Sequence, residues 1–526
     1  MDNFSASLRL RKPAVRSERG IVAAQHRRAA EIGAEILARG GDAVDAAIAT
    51  SFALGVLEPW MSGVGGGGAM VLYRATENRY RVIDFGMRAP SSLDPADYPL
   101  AGEGVSSDLF PWARVRDDRN VHGPLSIAVP GTVDGMRVAH ENFARLPWHE
   151  LVAPAIALAD QGLLIDWFAT EAIASAALDL RRYPVSREAF LPDGLPPVPA
   201  WSARTQVRLS QQRLAQTLRK LAQAGARDFY EGGLARLVAA EIQRAGGSLS
   251  VSDLAGYRAK AVEPLMIGYR TSTIAATPEL TAGPTLAHAL RLLEQCLKPG
   301  AGLDGETYAA YARCLQEAYA FRLDRMGDVD GGRAPGCTSH FCVVDRQGNM
   351  AAVTQTLLSI FGSRLVLPES GILMNNGVMW FDTQPGKPNS LAPGKRCLTN
   401  YCPIIAESDG SRFALGASGG RRILPAVMQL LCFLADHGKS LDEAFHHPRI
   451  DASEGELVIG DELLGEEVHR ALRESVTYTS VRRQTLPLKF ACPSGVLRTG
   501  TTNWGATEIA SPWADAVSEE SVLHAA

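Results

Sequence analysis

The chain has 526 residues, too many for one simple core, and its net charge of −4 with a pI near 6.3 offers no global basic field to recruit nucleic acid. Hydrophobic residues make up 46% and charged residues 21%, the balance of a globular protein. No uncharged apolar run reaches the roughly 18 residues of a membrane-spanning helix.

The first twenty residues are Arg-rich, lack the apolar stretch of a signal peptide and read as a solvated arm. Residues 20–25 form a short apolar strand, and RRAAEIGAEILARGG (27–41) then reads as a helix closed by glycines. Asp42 is an N-cap for a second, buried helix through about 57. GVGGGGAM (63–70) is a tight turn rather than a phosphate cradle, because a strand and no Lys-Ser/Thr follows it. Residues 130–330 show helical periodicity in four clear runs. The character changes at GDVDGGRAPGC (327–337), a flexible, turn-rich stretch. TSHFCVVD and AAVTQTLL alternate as strands around the turn RQGN. SRLVLP, GILMNN, CPIIAE and RFALGA read as further strands before one apolar helix, ILPAVMQLLCFLAD. Helices and antiparallel strands segregated in this way predict an α+β fold. The eight cysteines (296, 314, 337, 342, 397, 402, 432 and 492) include no C-x-x-C pair, and read as reduced thiols in a cytoplasmic protein.

Thr338 stands where the turn-rich stretch meets the first strand of the C-terminal region. A hydroxyl is a weak nucleophile until a base takes its proton, and a free α-amine on the same threonine, titrating near about 8, is such a base. The amine is freed only if the Cys337–Thr338 bond is cut. On the residue alone, Thr338 is also an ordinary β-branched strand residue.

Residues 20–73, VPGTVDGM (129–136), TSHFCVVDRQGNMAAVTQTL (338–357), the segment 374–396 and LGASGGRRI (415–423) appear in the order and spacing of γ-glutamyltranspeptidases, and the chain resembles that family from about 20 to about 460. The resemblance implies a four-layer αββα sandwich of the N-terminal-nucleophile hydrolase type. It implies self-cleavage into a large subunit, 1–337, and a small subunit, 338–526, held as a heterodimer; the helical middle allows a dimer of heterodimers. It makes Thr338 the nucleophile, Thr356 its hydrogen-bonding partner, and Gly419 and Gly420 the backbone donors to the oxyanion. No metal, organic cofactor, nucleic-acid or membrane partner is implied.

The specificity half departs from the family. Where a transpeptidase holds the glutamyl carboxylate with Arg, this chain has Gly86; where it holds the ammonium, this chain has Leu358, Gly377 and Trp380, and a serine pair becomes Thr399 and Asn400. A buried ammonium without its counter-charge costs several kcal/mol, which argues against γ-glutamyl substrates. Trp380 fills space and predicts a smaller substrate, with Arg88 and His122 as candidate carboxylate contacts beside Trp380 and Asn400. An oxamate amidohydrolase of purine catabolism, a relative within the family, is similar in these respects; γ-glutamyltransferase or glutathione hydrolase is the alternative.

Two rival readings remain open. Gly416-Ala417-Ser418-Gly419-Gly420 matches a serine nucleophile elbow, with His446, His447 or His469 downstream, although no βα series precedes it. An unprocessed, non-enzymatic relative is the other.

Overall fold

A computed structural model describes residues 5, 7–106, 108, 112–326 and 337–524. The turn-rich stretch expected before Thr338 therefore lies, at 327–336, outside the described residues. In chain order the strands of the two large sheets are β1 (Val15–Ser17), β2 (Ile21–Ala24), β3 (Gly67–Arg74), β4 (Arg79–Phe85), β5 (Lys260–Val262), β6 (Leu265–Tyr269), β7 (Ser272–Ala276), β8 (Cys337–Val344), β9 (Met350–Leu358), β10 (Ile404–Ser408), β11 (Ser411–Ser418), β12 (Cys492–Thr499), β13 (Thr502–Thr507) and β14 (Asp515–Ser518). The first sheet runs β14-β2-β8-β9-β3-β4-β5 and the second β1-β13-β12-β11-β10-β7-β6, antiparallel throughout.

Side-chain alternation turns these sheets into layers. Val22, Met70, Leu72, Phe341, Val343, Ala351 and Val353 face outward onto a helical layer. Their alternate neighbours Ile21, Ala23, Val71, Cys342, Val344 and Ala352 face inward and meet Ala275, Ile405, Ala414 and Val496 of the second sheet. That sheet's other face, with Ile274, Ile404, Phe413 and Leu415, buries a second helical layer containing Gly283–Cys296, Gly305–Arg325 and Ile423–Ala435. The result is the expected α+β architecture in four layers, αββα.

The helices α1 (Arg27–Ala38) and α2 (Ala43–Leu57) pack on the first sheet. Gly40, at φ +96, turns the chain after α1 in the left-handed region that glycine tolerates. Asp42 caps α2 in a reciprocal capping box with Asp45. Helix α2 is apolar all round because sheet and helices cover it on every side.

Three expectations change. SRLVLP and GILMNN are not strands: Leu367 N donates to Ile372 O and Gly371 N to Leu367 O, closing a tight loop that leaves one bridge, Val366 to Leu373. The hairpin β6–β7, inside the region read as helical, completes the second sheet. The N-terminal arm is tied to the C-terminal region from Lys12 on. Lys12 Nζ donates to the carbonyls of Glu508 (3.0 Å), Ser511 (2.7 Å) and Ala514 (2.6 Å), and Val15–Ser17 pairs with β13.

Between the two sheets His340 of β8 lies against Gly416 of β11; a Cβ on Gly416 would land in the imidazole ring. Gly416→Ala should therefore destabilise the fold by about 1–3 kcal/mol, the cost of overpacking a filled core, read as a lower urea midpoint with unchanged slope.

Candidate active site

The strand β8 begins with three buried polar residues, Thr338, Ser339 and His340. Each must find a partner inside the protein. Thr338 Oγ1 donates to Thr356 Oγ1 of the neighbouring strand β9 (3.4 Å). His340, on the same face, hydrogen-bonds Thr354 Oγ1 through Nδ1 (2.9 Å), and burial pushes its pKa down to about 3, so the ring is neutral. Ser339 points the other way, toward α2, where Ser62 Oγ (3.0 Å) and the Glu58 carboxyl (3.5 Å) meet it.

The register between β8 and β9 slips at this point. Cys337 pairs with Leu358 and Ser339 with Gln355, so Thr338 sits at an irregularity. Leu358 takes a φ of +88, a strained conformation for a branched residue, and its N–H donates to Thr356 Oγ1 (2.8 Å). Thr356 is backed by the glycine-rich turn: a Cβ on Gly66 would strike the Thr356 carbonyl oxygen. Gly66 O in turn accepts from the N–H groups of Gly131 (2.7 Å) and Thr132 (3.1 Å), which ties the PGT segment to the same point. Of the tight turn expected at 63–70, residues 63–66 form the turn that supports Thr356, while Gly67–Met70 already belong to β3.

Gly419 and Gly420 follow the end of β11, at φ +133 and +59, conformations open to glycine. Gly419 borders a cavity of about 1010 Å³ together with Gln25, Glu58, Trp60, Ser418 and Phe490. Ser418 does close a strand that leads to a helix, but its Oγ accepts from Gln25 Nε2. The candidate triad histidines are engaged elsewhere. His446 accepts from Lys12 N and bonds the Asp442 carbonyl, His469 bonds Tyr478 OH and Glu462 O, and His447 packs on Phe433.

Trp380 is buried with Leu358, Met87, Ala89, Cys397 and Tyr401 in one apolar cluster that abuts the end of β9. Its ring meets Tyr401 edge-on at 6.2 Å. Arg88, between Met87 and Ala89, is pinned by backbone bridges to Val129 and Arg396, while its buried Nε has no hydrogen-bond partner. Asn400 Oδ1 accepts from Arg322 (3.3 Å), which leaves Asn400 Nδ2 buried and without a partner. His122 lies on the cavity wall, bonded to Tyr183 OH (2.8 Å) and Arg182 (3.3 Å), with its pKa lowered by burial. The structure therefore joins Thr338 with Thr356, places Arg88 and Asn400 in the segments that give Met87, Ala89 and Tyr401 to the Trp380 cluster, and sets His122 on the wall of the cavity that Gly419 borders. Among the described residues, no three His, Cys, Asp or Glu side chains gather as a metal site, and no helix is long and apolar enough to cross a membrane.

Sequence reasoning missed Glu58. Its carboxyl is buried at the end of α2, and desolvation pushes its pKa up to about 8. The available signal was a lone carboxylate closing an apolar helix, in ALGVLEPW.

This four-layer fold is shared with cephalosporin acylase from Bacillus halodurans, at a TM-score of 0.86 and 24% identity over 98% of this chain and 99% of that one. In sequence, the chain is 34% identical over 501 residues to the acylase ACY 1 proenzyme of Pseudomonas sp. (strain SE83), covering 88% of this chain and 87% of that protein. It is 30% identical over 486 residues to the glutathione hydrolase proenzyme of Bacillus subtilis (strain 168), covering 82% and 80%. Residues 29–336 and 332–514 match the profile of the gamma-glutamyltranspeptidase family, and the chain belongs to that family.

If the Thr356 hydroxyl orients Thr338, Thr356→Val should lower activity on the order of 10- to 100-fold, the worth of one hydrogen bond to a reacting group. Thr356→Ser, which keeps the hydroxyl, should retain most of it; steady-state rates of the pair check this.

Proposed function

We propose that the protein cuts its own chain between Cys337 and Thr338, and that the new N-terminal threonine then hydrolyses the amide of a small carboxylate-bearing substrate. The observation that carries this reading is the Thr338–Thr356 hydroxyl pair at the start of a central strand. In this reading the Gly419–Gly420 turn, which follows β11, offers the backbone N–H groups for the oxyanion. In self-cleavage, Thr338 Oγ attacks the Cys337 carbonyl, the peptide C–N bond breaks, and water releases the resulting ester. The freed α-amine becomes the base for later turnovers. Residues 1–337 would contribute β2–β5 to the first sheet and 338–526 would contribute β8, β9 and β14, so the two pieces remain one interlaced heterodimer.

Oxamate, hydrolysed to oxalate and ammonia, is the substrate this reading favours. Gly86, Leu358, Gly377 and Trp380 provide no clamp for a glutamyl zwitterion. Next in the chain to members of the Trp380 cluster, Arg88 Nε and Asn400 Nδ2 are buried donors without partners, suited to a carboxylate and an amide oxygen. A cytoplasmic setting is supported by the described cysteines, which are free thiols, Cys296 exposed and the others buried.

One observation favours a second reading. The cavity of about 1010 Å³ carries the apolar side chains of Trp60, Met61, Phe168, Ile360 and Phe490, far more than oxamate would fill. A bulky acyl amide suits that volume, and two relatives are named acylases.

Ammonia release from oxamate, from a γ-glutamyl amide and from phenylacetamide separates these readings. Oxamate should be turned over fastest, and Arg88→Ala should raise its KM about 10-fold or more with little change in kcat, as expected for loss of a binding contact. Preference for phenylacetamide would favour the bulky-acyl reading; preference for the γ-glutamyl amide would restore the glutathione hydrolase reading.

A further inference from the structure

Two cysteines outside the active site meet across a pair of helices. The helix Gly283–Cys296 ends on Cys296, and the helix Gly305–Arg325 runs back along it, so that Cys314 meets Cys296 and Arg322 reaches Thr285 at the other end. The two sulfurs are 3.5 Å apart, in van der Waals contact. A disulfide bond is about 2 Å long, so bonding asks the sulfurs to close by roughly 1.5 Å between them. Cys314 is buried, whereas Cys296 is the one exposed thiol among the described cysteines. Cys296 also has room to move. It is the last helical residue, Leu297 turns to an extended conformation, and Lys298-Pro299-Gly300-Ala301-Gly302 follows, with Gly300 at φ +78 and open space where a Cβ would stand. The end of a helix yields more readily than its middle.

We propose that Cys296 and Cys314 are a reversible oxidation site: a hydroperoxide oxidises Cys296, Cys314 resolves it, and the resulting disulfide staples the two helices together. In the first step the Cys296 thiolate sulfur attacks a peroxide oxygen. An S–O bond forms, the O–O bond breaks, and the departing alkoxide takes a proton from water to leave as the alcohol. Sulfur is oxidised to the sulfenic acid and the peroxide is reduced. In the second step the Cys314 sulfur attacks the Cys296 sulfur. The S–S bond forms, the S–O bond breaks, and the departing hydroxide takes the Cys314 proton to leave as water. The sum is two thiols plus hydroperoxide giving disulfide, alcohol and water. A dithiol reductant reverses the bond by exchange.

Exposure sets the order of events. The thiolate is the attacking form, and burial pushes the Cys314 thiol up, with the hydrogen bond and charge of Cys296 and the Glu317 carboxylate adding to the effect and Arg313 opposing it. Cys314 thus keeps its proton while Cys296 meets the oxidant. The two contributions from Cys296 belong to its reduced form and end when it becomes a sulfenic acid, which readies Cys314 for the second step. The bond joins residues 18 apart in the chain, and such a cross-link restricts the unfolded chain. Both helices cover the outer face of the second sheet. Arg322, two turns beyond Cys314, donates to Thr399 O (2.8 Å) and Asn400 Oδ1 (3.3 Å), so the stapled pair is also the support of the loop that carries Asn400.

The test treats the purified full chain with stoichiometric hydrogen peroxide, blocks the remaining thiols with N-ethylmaleimide and maps a non-reduced tryptic digest. Trypsin cuts after Arg291, Arg313 and Arg322 but not at Lys298, which precedes Pro299, so the two cysteines fall in separate peptides, 292–313 and 314–322. These should appear joined, at their summed mass less two hydrogens, and dithiothreitol should part them. Cys314→Ala should stop the reaction at a Cys296 sulfenic acid that dimedone captures, and Cys296→Ser should leave Cys314 reduced at the same dose. Oxidation should raise the apparent melting midpoint of wild type by several degrees and leave that of Cys296→Ser unmoved. Oxidation that falls first on another cysteine, a Cys296–Cys296 bond between two chains, or a Cys296 sulfinic acid beside a free Cys314 thiol would overturn the proposal, and an unmoved midpoint in the cross-linked chain would overturn the staple. Should Cys314→Ala not fold, the wild-type map decides, and peptides that stay apart overturn it. No readout here involves Thr338, so the nucleophile reading and this one stand or fall separately.

Discussion

Polar side chains on both faces of a strand that no water reaches set the terms for this fold. Thr338, Ser339 and His340 open β8 at the centre of the first sheet, buried between it and its neighbours. Leaving any one unpartnered would cost about 1–3 kcal/mol, so the surrounding elements are arranged to supply partners. β9 supplies Thr354 and Thr356, α2 and the residues just after it supply Glu58 and Ser62, and β11 supplies a glycine where the His340 ring needs room. The glycine-rich turn behind Thr356 and the PGT segment behind that turn extend the same requirement outward.

This packing has an electrostatic outcome. His340 is kept neutral and Glu58 is pushed toward its protonated form, both by desolvation, so the described groups beside Thr338 carry little charge at neutral pH. In such surroundings a developing charge is screened little. Glu508, held down to about 2 by Arg483 and Arg449 against the opposing cost of burial, ties together three segments of the C-terminal region.

Much of this was legible in the sequence, for identifiable reasons. Helices α1 and α2 carry their own caps, and β8 and β9 alternate cleanly around a polar turn, so local pattern suffices. Thr338, Thr356, Gly419 and Gly420 came through resemblance, and the structure puts the first two in contact. The loop 363–376 looked like strands because its residues are apolar, yet its backbone partners are set by a turn that apolar content does not encode. The arm's Lys12 was read as solvated, since the three carbonyls that bind it lie almost five hundred residues away in sequence. Glu58 escaped notice because its chemistry comes from burial in three dimensions rather than from spacing.

The account stands on Thr338 becoming an N-terminus. Intact-mass measurement of the purified protein, beside Thr338→Ala, tests this most directly. The 56.4 kDa chain should appear as pieces of about 36 and about 20 kDa, in proportion to 337 and 189 residues, while the variant stays whole. A wild-type chain that remains at 56.4 kDa in an active preparation would contradict it, since Thr338 would then lack the free amine its chemistry requires.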